Sequence, residues 1–412
     1  MISQKMTGFL QNNSAIRAMF EEGKRMASIY GAENVYDFSL GNPNVPAPEA
    51  VNQAIKDILD TEDTLLVHGY MSNVGYEDVR RTIAESINQR FETNFNKDNL
   101  IMTVGAASGL NVIFKTLLNP GDEVIAFSPY FVEYNAYVTN YEGVLKEVSC
   151  PAPGFLPNPE KLAAAVTEKT RAVIINNPNN PTGVVYPVEI IEGIAKVLEE
   201  KQKEFGRDIY LISDEPYREL VYGDAVVPYL PKYYRNTIVG YSFSKSLSLP
   251  GERIGYLVIP SEISDFENVY GAAAIATRIL GYVNAPSLMQ RAVARAINEK
   301  TDIAYYDRNR KTLYKMLTEA GFECVKPEGA FYLWMKTPMA DEKEFCAKAK
   351  EYHLILVPGS SFKCSGYVRI AYCVSYETIL RSEDAWKKLA AEAHTSKITR
   401  RICLLKKQPL NL

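Results

Sequence analysis

The 412-residue sequence has no CxxC pair and no Cys/His cluster at zinc-ligand spacing. Its six cysteines, Cys150, Cys324, Cys346, Cys364, Cys373 and Cys403, are scattered. That excludes a disulfide scaffold and reads as reduced, mostly buried thiols. No run approaches the roughly 18 apolar residues of a membrane span. The opening stretch MISQKMTGFLQNNSAIRAMFEEGKRM lacks the apolar core and small-residue cleavage site of a signal peptide, so the expected compartment is the cytoplasm. A charge excess is missing too: 46 Lys+Arg oppose 49 Asp+Glu, giving a formal charge of −3. Nothing therefore attracts nucleic acid or an acidic membrane globally, and any recognition of anions has to be local. Fixed-period repeats and long Gly/Ser/Pro linkers are also absent.

What is present is an ordinary globular composition, 47% hydrophobic and 23% charged, which excludes disorder and collagen. At about 150 residues per domain the length predicts two or three domains with a large core. Short apolar, β-branched runs read as strands: Leu100 to Val104, Val124 to Phe127, Ala172 to Asn176, Ile209 to Ser213, Ile238 to Tyr241 and Gly255 to Ile259. Between them Tyr76 to Phe91, Ala106 to Leu118 and Pro187 to Phe205 carry helical spacing. This alternation predicts an α/β fold with a largely parallel, buried sheet. From Ser287 the pattern changes to a long helical stretch reaching Ala320, then Phe331 to Met335, a helix around Asp341 to Tyr352, a strand near Val368 to Ala371 and a terminal helix to His394. These predict a second, smaller α+β domain, with the boundary in or beside a long helix.

Four segments carry candidate chemistry. At Thr103 to Gly109 a strand runs through small residues into a helix, whose first-turn amides offer an anion site; a tight turn without ligand has the same sequence. In NNPNNPTG, residues 176 to 183, four asparagines at a strand's C-terminal end suggest amides aimed at a ligand, with ordinary turn chemistry the equal alternative. Asp214, in SDEPY, is an acid at a buried strand end, where it needs a partner, caps a helix or shares a metal with Glu215. The most specific is SFSKS followed by GERIGY: Ser242, Ser244, Lys245 and Arg253 form a compact anion-binding and nucleophilic set, in which a nearby cation favours the neutral lysine.

SFSKSLSLPGERIGY resembles the pyridoxal-phosphate lysine motif of the class I, fold-type-I aminotransferases. The resemblance continues in order through SLGNPN, HGYMSNVGYEDVR, the turn at Gly105, GDEVIAFSPYFVEY, NNPNNPTG, SDEPY, GAFYLW and VRIAY, covering about residues 14 to 394. It implies an aspartate-aminotransferase-like fold, a large domain with a mostly parallel seven-stranded sheet and a smaller α+β domain. The expected divisions are an N-terminal segment 1–44 packing with the small domain, a cofactor-binding domain 45–290, the small domain 291–395 and a basic tail 396–412. The implied cofactor is pyridoxal 5′-phosphate and the implied reaction an amino-group exchange between an L-amino acid and a 2-oxo acid.

Residue by residue, the resemblance makes Lys245 the lysine that holds the cofactor as an internal aldimine and moves the substrate Cα proton. Asp214 matches the carboxylate against the pyridine nitrogen, and Tyr217 and Asn180 the partners of the phenolic oxygen. Gly105, Ala106, Ala107, Ser242, Ser244 and Arg253 match the phosphate cup. Tyr130 matches the aromatic stacked on the ring. Tyr70 matches the tyrosine that reaches the neighbouring subunit's phosphate, which implies a homodimer with shared sites. Arg369 matches the grip on the substrate α-carboxylate, with Gly41 and Asn180 beside it. Ala106 and Ala107 depart from the hydroxyl or larger polar side chains of many relatives, which puts more of the cup on Arg253 and the serines. Arg278 lies where some relatives contribute to the partner's substrate pocket, and a cation there selects Asp or Glu; a solvent-facing helix arginine is the alternative. A carbon–sulfur β-lyase shares Lys245, Asp214 and Arg369 and is the competing enzyme. The complete set of site residues argues against a cofactor-less binding protein, and the first motif starts too early for a fused DNA-binding domain. The tail residues Lys397, Arg400, Arg401, Lys406 and Lys407 have no counterpart in the family and read as a solvated terminus.

Overall fold

A computed structural model describes residues 2–11 and 15–393. The first strand is the short β1 (Tyr36–Asp37). The central sheet follows: β2 (Leu100–Thr103), β3 (Glu123–Ser128), β4 (Val144–Ser149), β5 (Thr170–Asn176), β6 (Tyr210–Asp214), β7 (Thr237–Ser242) and β8 (Gly255–Val258). The last strands are β9 (Cys324–Val325), β10 (Tyr332–Lys336), β11 (Leu354–Ile355), β12 (Val357–Pro358) and β13 (Tyr367–Ala371).

The central order is β2-β8-β7-β6-β5-β3-β4. Every pairing is parallel except those of β8, which runs antiparallel to both β7 and β2. Helices cover both faces, so successive residues of one strand enter different cores. Val173 and Ile175 of β5 pack with Ile191, Ile194 and Leu198 of the helix Val188–Phe205. Their neighbours Ala172 and Ile174 pack with Leu110, Ile113 and Phe114 of the helix Gly105–Leu117. Burial on both faces is why these strands read as unbroken apolar runs. The six strands expected from sequence all form, within two residues at either end. The seventh, β4, has no such run because it is an uncovered edge, unlike the opposite edge β2: only Val148 of its six residues is buried, whereas all four of β2 are.

The smaller sheet, β12-β13-β10-β9, is antiparallel, and β1 pairs with β11 in parallel. The helix Glu342–Glu351 begins where the Asp341 side chain accepts from the Lys343 amide, as its sequence suggests. The long helix expected from Ser287 to Ala320 is instead two, Ser287–Arg295 and Ile303–Glu319. The chain leaves the helical path at Ala296, the Thr301 amide bonds to Ser246 O, and Asp302 caps the second helix through the Tyr305 amide. The terminal helix is likewise broken at Ser382, between Tyr376–Arg381 and a helical run over 383–393. His394, Cys403 and the basic tail lie outside the described residues. Among the described residues no helix is long and apolar enough to cross a membrane.

Register aligns the strand ends. Asn176 lies opposite Asp214, Asp214 opposite Gly240, and Gly255 opposite both Ser242 and Thr103. Four of the segments singled out in the sequence therefore meet along one edge of the sheet. Just beyond it Glu215 is buried against Arg218, Oε1 to Nη2 at 2.7 Å, and also accepts from Ser213 Oγ at 2.7 Å. Its carboxylate is thus spent on the fold, which removes it as a metal ligand beside Asp214. Arg218 also lies over the rings of Phe91 and Tyr229, at 5.0 and 5.2 Å. Arg218→Met strands the Glu215 charge and should cost about 3–5 kcal/mol in chemical denaturation, the usual penalty for breaking a buried pair from one side. A loss under about 1 kcal/mol would show the pair to be dispensable.

Candidate active site

The aligned ends open on a cavity of about 260 Å³. It is lined by Lys245, Asp214, Asn180, Arg253 and Arg369, and by Tyr217, Gly41, Ala106, Ala107, Ser242 and Ser244. Lys245 projects from the single turn Phe243–Ser246, which starts where Ser242 Oγ accepts from the Ser244 amide at 3.2 Å. Its Nζ donates to Gly41 O at 2.8 Å. Burial, helped by the cations Arg253 and Arg369 and opposed by the Cys373 thiol, lowers the lysine to about 8. Roughly a fifth is therefore a neutral amine at about pH 7.4, rising to half at about 8. Gly41 has to be glycine, since a Cβ there would collide with the Tyr332 hydroxyl.

Asp214 is buried at the end of β6. Its Oδ2 accepts from Tyr134 at 2.5 Å, and its Oδ1 has no partner. Burial pushes the carboxyl up to about 7, with Glu215 adding to the rise and the Tyr134 bond resisting it. Arg369, on β13, donates from Nη1 to Asn180 Oδ1 at 3.0 Å and from Nη2 to Ser39 O at 2.5 Å. Its guanidinium lies between the rings of Tyr332 and Phe362, at 4.4 and 4.9 Å, and its Nε is unpartnered. The Tyr217 and Tyr332 hydroxyls are 2.9 Å apart. Gly105 sits at φ +79°, and a Cβ on it would stand 2.7 Å from Arg253 Nη2. Only glycine lets the helix begin this sharply with the guanidinium against it.

Of the four asparagines only Asn180 meets a site cation. Asn177 exchanges bonds with the Tyr186 backbone, Asn179 holds the Thr182 amide and hydroxyl, and Asn176 ties the Asn180 amide to the Asp214 carbonyl. Turn chemistry thus accounts for three of them. The expectation for Tyr130 is corrected: it does not line the cavity, and its hydroxyl donates to Glu147 at 2.9 Å on the edge strand. The next residue, Phe131, lines the cavity instead. Tyr70 is 93% exposed and Arg278 is exposed, and neither lines this chain's own cavity. Tyr134 and Tyr332 were missed. Both lie inside recognised motifs, SPYFVEY and GAFYLW, yet neither position shows in sequence that its hydroxyl would reach a carboxylate or a second tyrosine.

A lysine amine and an unpartnered carboxylate oxygen at parallel strand ends, facing a caged arginine on the smaller antiparallel sheet, agree with the comparisons to known proteins. The family model for aminotransferase class I and II matches residues 32–382. The chain belongs to this family. It is 32% identical to the aspartate/prephenate aminotransferase of Thermus thermophilus over 368 residues, 86% of this chain and 91% of that one. It is 31% identical to the aspartate aminotransferase of Thermotoga maritima over 372 residues, 89% and 94% of the two chains. A crystal structure of an amino transferase from Eubacterium rectale superposes with a TM-score of 0.93 at 46% identity, covering 95% of this chain and 99% of that one. Aspartate aminotransferase from Thermus thermophilus with maleate superposes at 0.83 and 28% identity, with 94% and 99% coverage. The fold is thus that of the aspartate aminotransferases, and the enzyme is a transaminase.

The Asp214 carboxyl ionises near its ordinary 3.8 in the unfolded chain and near 7 in the folded one. Its contribution to stability is therefore complete below about 4 and is lost as pH rises to about 7. Asp214→Asn should flatten that part of the stability–pH curve of the ligand-free protein and leave it at least as stable at alkaline pH. The same variant should lose at least about a hundredfold in transamination rate. Thermal melts across pH, set beside turnover, check both halves.

Proposed function

We propose that this transaminase exchanges an amino group between an L-amino acid and a 2-oxo acid with pyridoxal 5′-phosphate held at Lys245, with aspartate among its donors. The observation that carries the reading is Asp214 Oδ1, buried and unpartnered in the cavity that holds the lysine. A protonated ring nitrogen is the partner such an oxygen lacks. The far end of the cavity suits a phosphate: Ala106 and Ala107 leave the first helical turn uncovered, and Arg253, Ser242 and Ser244 surround it.

Bound there, the cofactor supplies a sink for the electron pair left on the substrate Cα. The chain's own side chains do the rest. Lys245, as a neutral amine, accepts the Cα proton and returns it. Arg369 is held by Ser39, Asn180 and two rings before substrate arrives, so gripping the α-carboxylate costs little side-chain entropy. The bond from Arg369 fixes the Asn180 amide with its oxygen toward the arginine, which leaves its N–H donors, with the Tyr217 hydroxyl, for the phenolic oxygen. Ile16, Leu40, Phe131 and Tyr332 add apolar and aromatic surface to the cavity wall.

The relatives' names support aspartate as donor. A homodimer sharing its sites is supported by an uncovered apolar surface around Tyr70: Leu65 and Leu66 are 79% and 64% exposed, and Asn73 ties the segment to Val283, near exposed Ile275, Ile279 and Arg278. The divisions at 44/45, 290/291 and 395/396, and a cytoplasmic location, stand as part of the same proposal. Phe38 shares a core with Tyr306, Leu313 and Trp386, and Met26 and Val35 pack with Ile355, which supports packing of the N-terminal segment on the small domain.

Purified protein with added pyridoxal phosphate should show a visible absorption band that Lys245→Ala lacks. The band should bleach with aspartate and return with 2-oxoglutarate. Release of pyruvate and ammonia without an acceptor would assign a lyase instead. With the lysine lowered to about 8, the rate at which cofactor-free protein takes up the cofactor should rise through that pH and level off above it. Arg278→Ala should lower kcat/KM for dicarboxylic donors selectively; unchanged values remove that arginine from the substrate site.

A further inference from the structure

Arg369 is held in part by the Ser39 carbonyl, and Ser39 is in turn fixed by a residue outside the cavity. The backbone ladder that aligns this stretch ends at Phe38, whose amide donates to Ile355 O at 3.0 Å and whose carbonyl accepts from the Ala371 amide at 2.9 Å. Ser39 follows, and its amide goes to a side chain instead of a strand. It donates to Asp37 Oδ1 at 2.9 Å, and the Ser39 hydroxyl donates to the same oxygen at 2.6 Å. One carboxylate oxygen thus orients both the peptide that enters Ser39 and the Ser39 side chain. Ser39 is 0% exposed, so water does not compete for these groups. The carbonyl that leaves Ser39 is the one that accepts from Arg369 Nη2 at 2.5 Å.

Asp37 is half-buried, and no cation pairs with it among the described residues. Burial pushes its carboxyl up, with only the two bonds from Ser39 resisting. An acid withdrawn from water without a counter-ion weakens the fold, so what it holds in place is the return on that cost. Its second oxygen faces the helix Ala15–Tyr30 at Gly23, which is buried. A Cβ on Gly23 would stand 2.4 Å from Asp37 Oδ2 and 3.0 Å from its Cγ. Glycine is a poor residue for the middle of a helix. The sequence therefore keeps a weak helix former at the one place where an alanine would push on the carboxylate.

We propose that Asp37 is a positioning residue of this transaminase: through Ser39 it holds the Arg369 guanidinium in the pose that grips the substrate α-carboxylate, and Gly23 leaves it the room to do so. The inference rests on the reading of Arg369 as that grip. Asp37 is not among the residues lining the cavity, so it acts through its neighbour and not on the substrate. The α-carboxylate is common to every amino-acid donor, and the contribution of Asp37 is therefore the same whatever the donor's side chain.

The test is steady-state kinetics of the cofactor-loaded protein, with 2-oxoglutarate as acceptor and each L-amino acid that bleaches the visible band as donor, beside thermal melts of the same variants. Asp37→Ala should raise the donor KM about tenfold, by one factor for all donors, and change kcat less than about threefold, the pattern of lost ground-state binding. Asp37→Asn keeps an acceptor oxygen in place and should bring KM back to within about threefold of the parent. Gly23→Ala, which leaves Asp37 intact and displaces it, should raise KM about tenfold while melting within about 2 °C of the parent, because alanine favours the helix. A merely structural Asp37 would give the reverse, lower melting temperatures with KM unchanged. A rise in KM that differs between donors would assign the effect to Ile16, which reaches the cavity from the same helix, and would overturn the proposal. Arg369→Gln separates the two readings. An unchanged KM there removes the arginine grip and the role of Asp37 with it; a KM raised about a hundredfold there, with Asp37→Ala at parent values, removes the role of Asp37 alone.

Discussion

Backbone pairing of β5, β6 and β7 sets Asn176 opposite Asp214 and Asp214 opposite Gly240, and the geometry of the whole site descends from that register. A slip of one residue would exchange the two faces of a strand. It would turn the Asp214 carboxylate away from the cavity and release the Asn176 amide that now ties the Asp214 carbonyl to the Asn180 turn. Double-sided burial makes the slip expensive, because Val173 and Ile175 would trade places with Ala172 and Ile174 between cores of different shape. Site precision and core packing are therefore one constraint.

On this rigid edge the protein keeps groups that weaken the fold. An unpartnered carboxylate oxygen at Asp214, a lysine lowered by burial and an arginine with a bare Nε each oppose folding, and their charges cannot all be satisfied within the chain. The buried pair of Glu215 and Arg218 shows the opposite solution one residue away, with every charge answered internally. Adjacent acids thus serve different ends: Glu215 anchors the strand end, and Asp214 waits for a partner from outside.

The sequence was most legible where local chemistry and fold agree. Buried parallel strands appear as apolar runs, and Lys245, Asp214 and Arg369 stand in motifs whose order is kept. It was least legible where long-range contacts decide. The break after Ala296 depends on a backbone bond from Thr301 to Ser246, and no propensity announces it. β4 is an edge strand with a mixed surface, so its pattern resembles a loop. Tyr130 and Phe131 are neighbours of similar character, and no local pattern says which ring enters the cavity and which bonds Glu147 on the edge strand. Tyr134 reaches Asp214 from 80 residues away in the chain.

The stretch from Ser39 to Gly41 gives its carbonyls to two of the three cations of the site, Ser39 to Arg369 and Gly41 to Lys245. Two groups with separate tasks are therefore read by one short piece of backbone. Substitutions there are pleiotropic: a change that moves this backbone displaces the guanidinium and the amine together. Side chains such as Ile16, Phe131 and Tyr137 face the same cavity from outside this stretch, so changes there reshape the pocket and leave its backbone anchors in place.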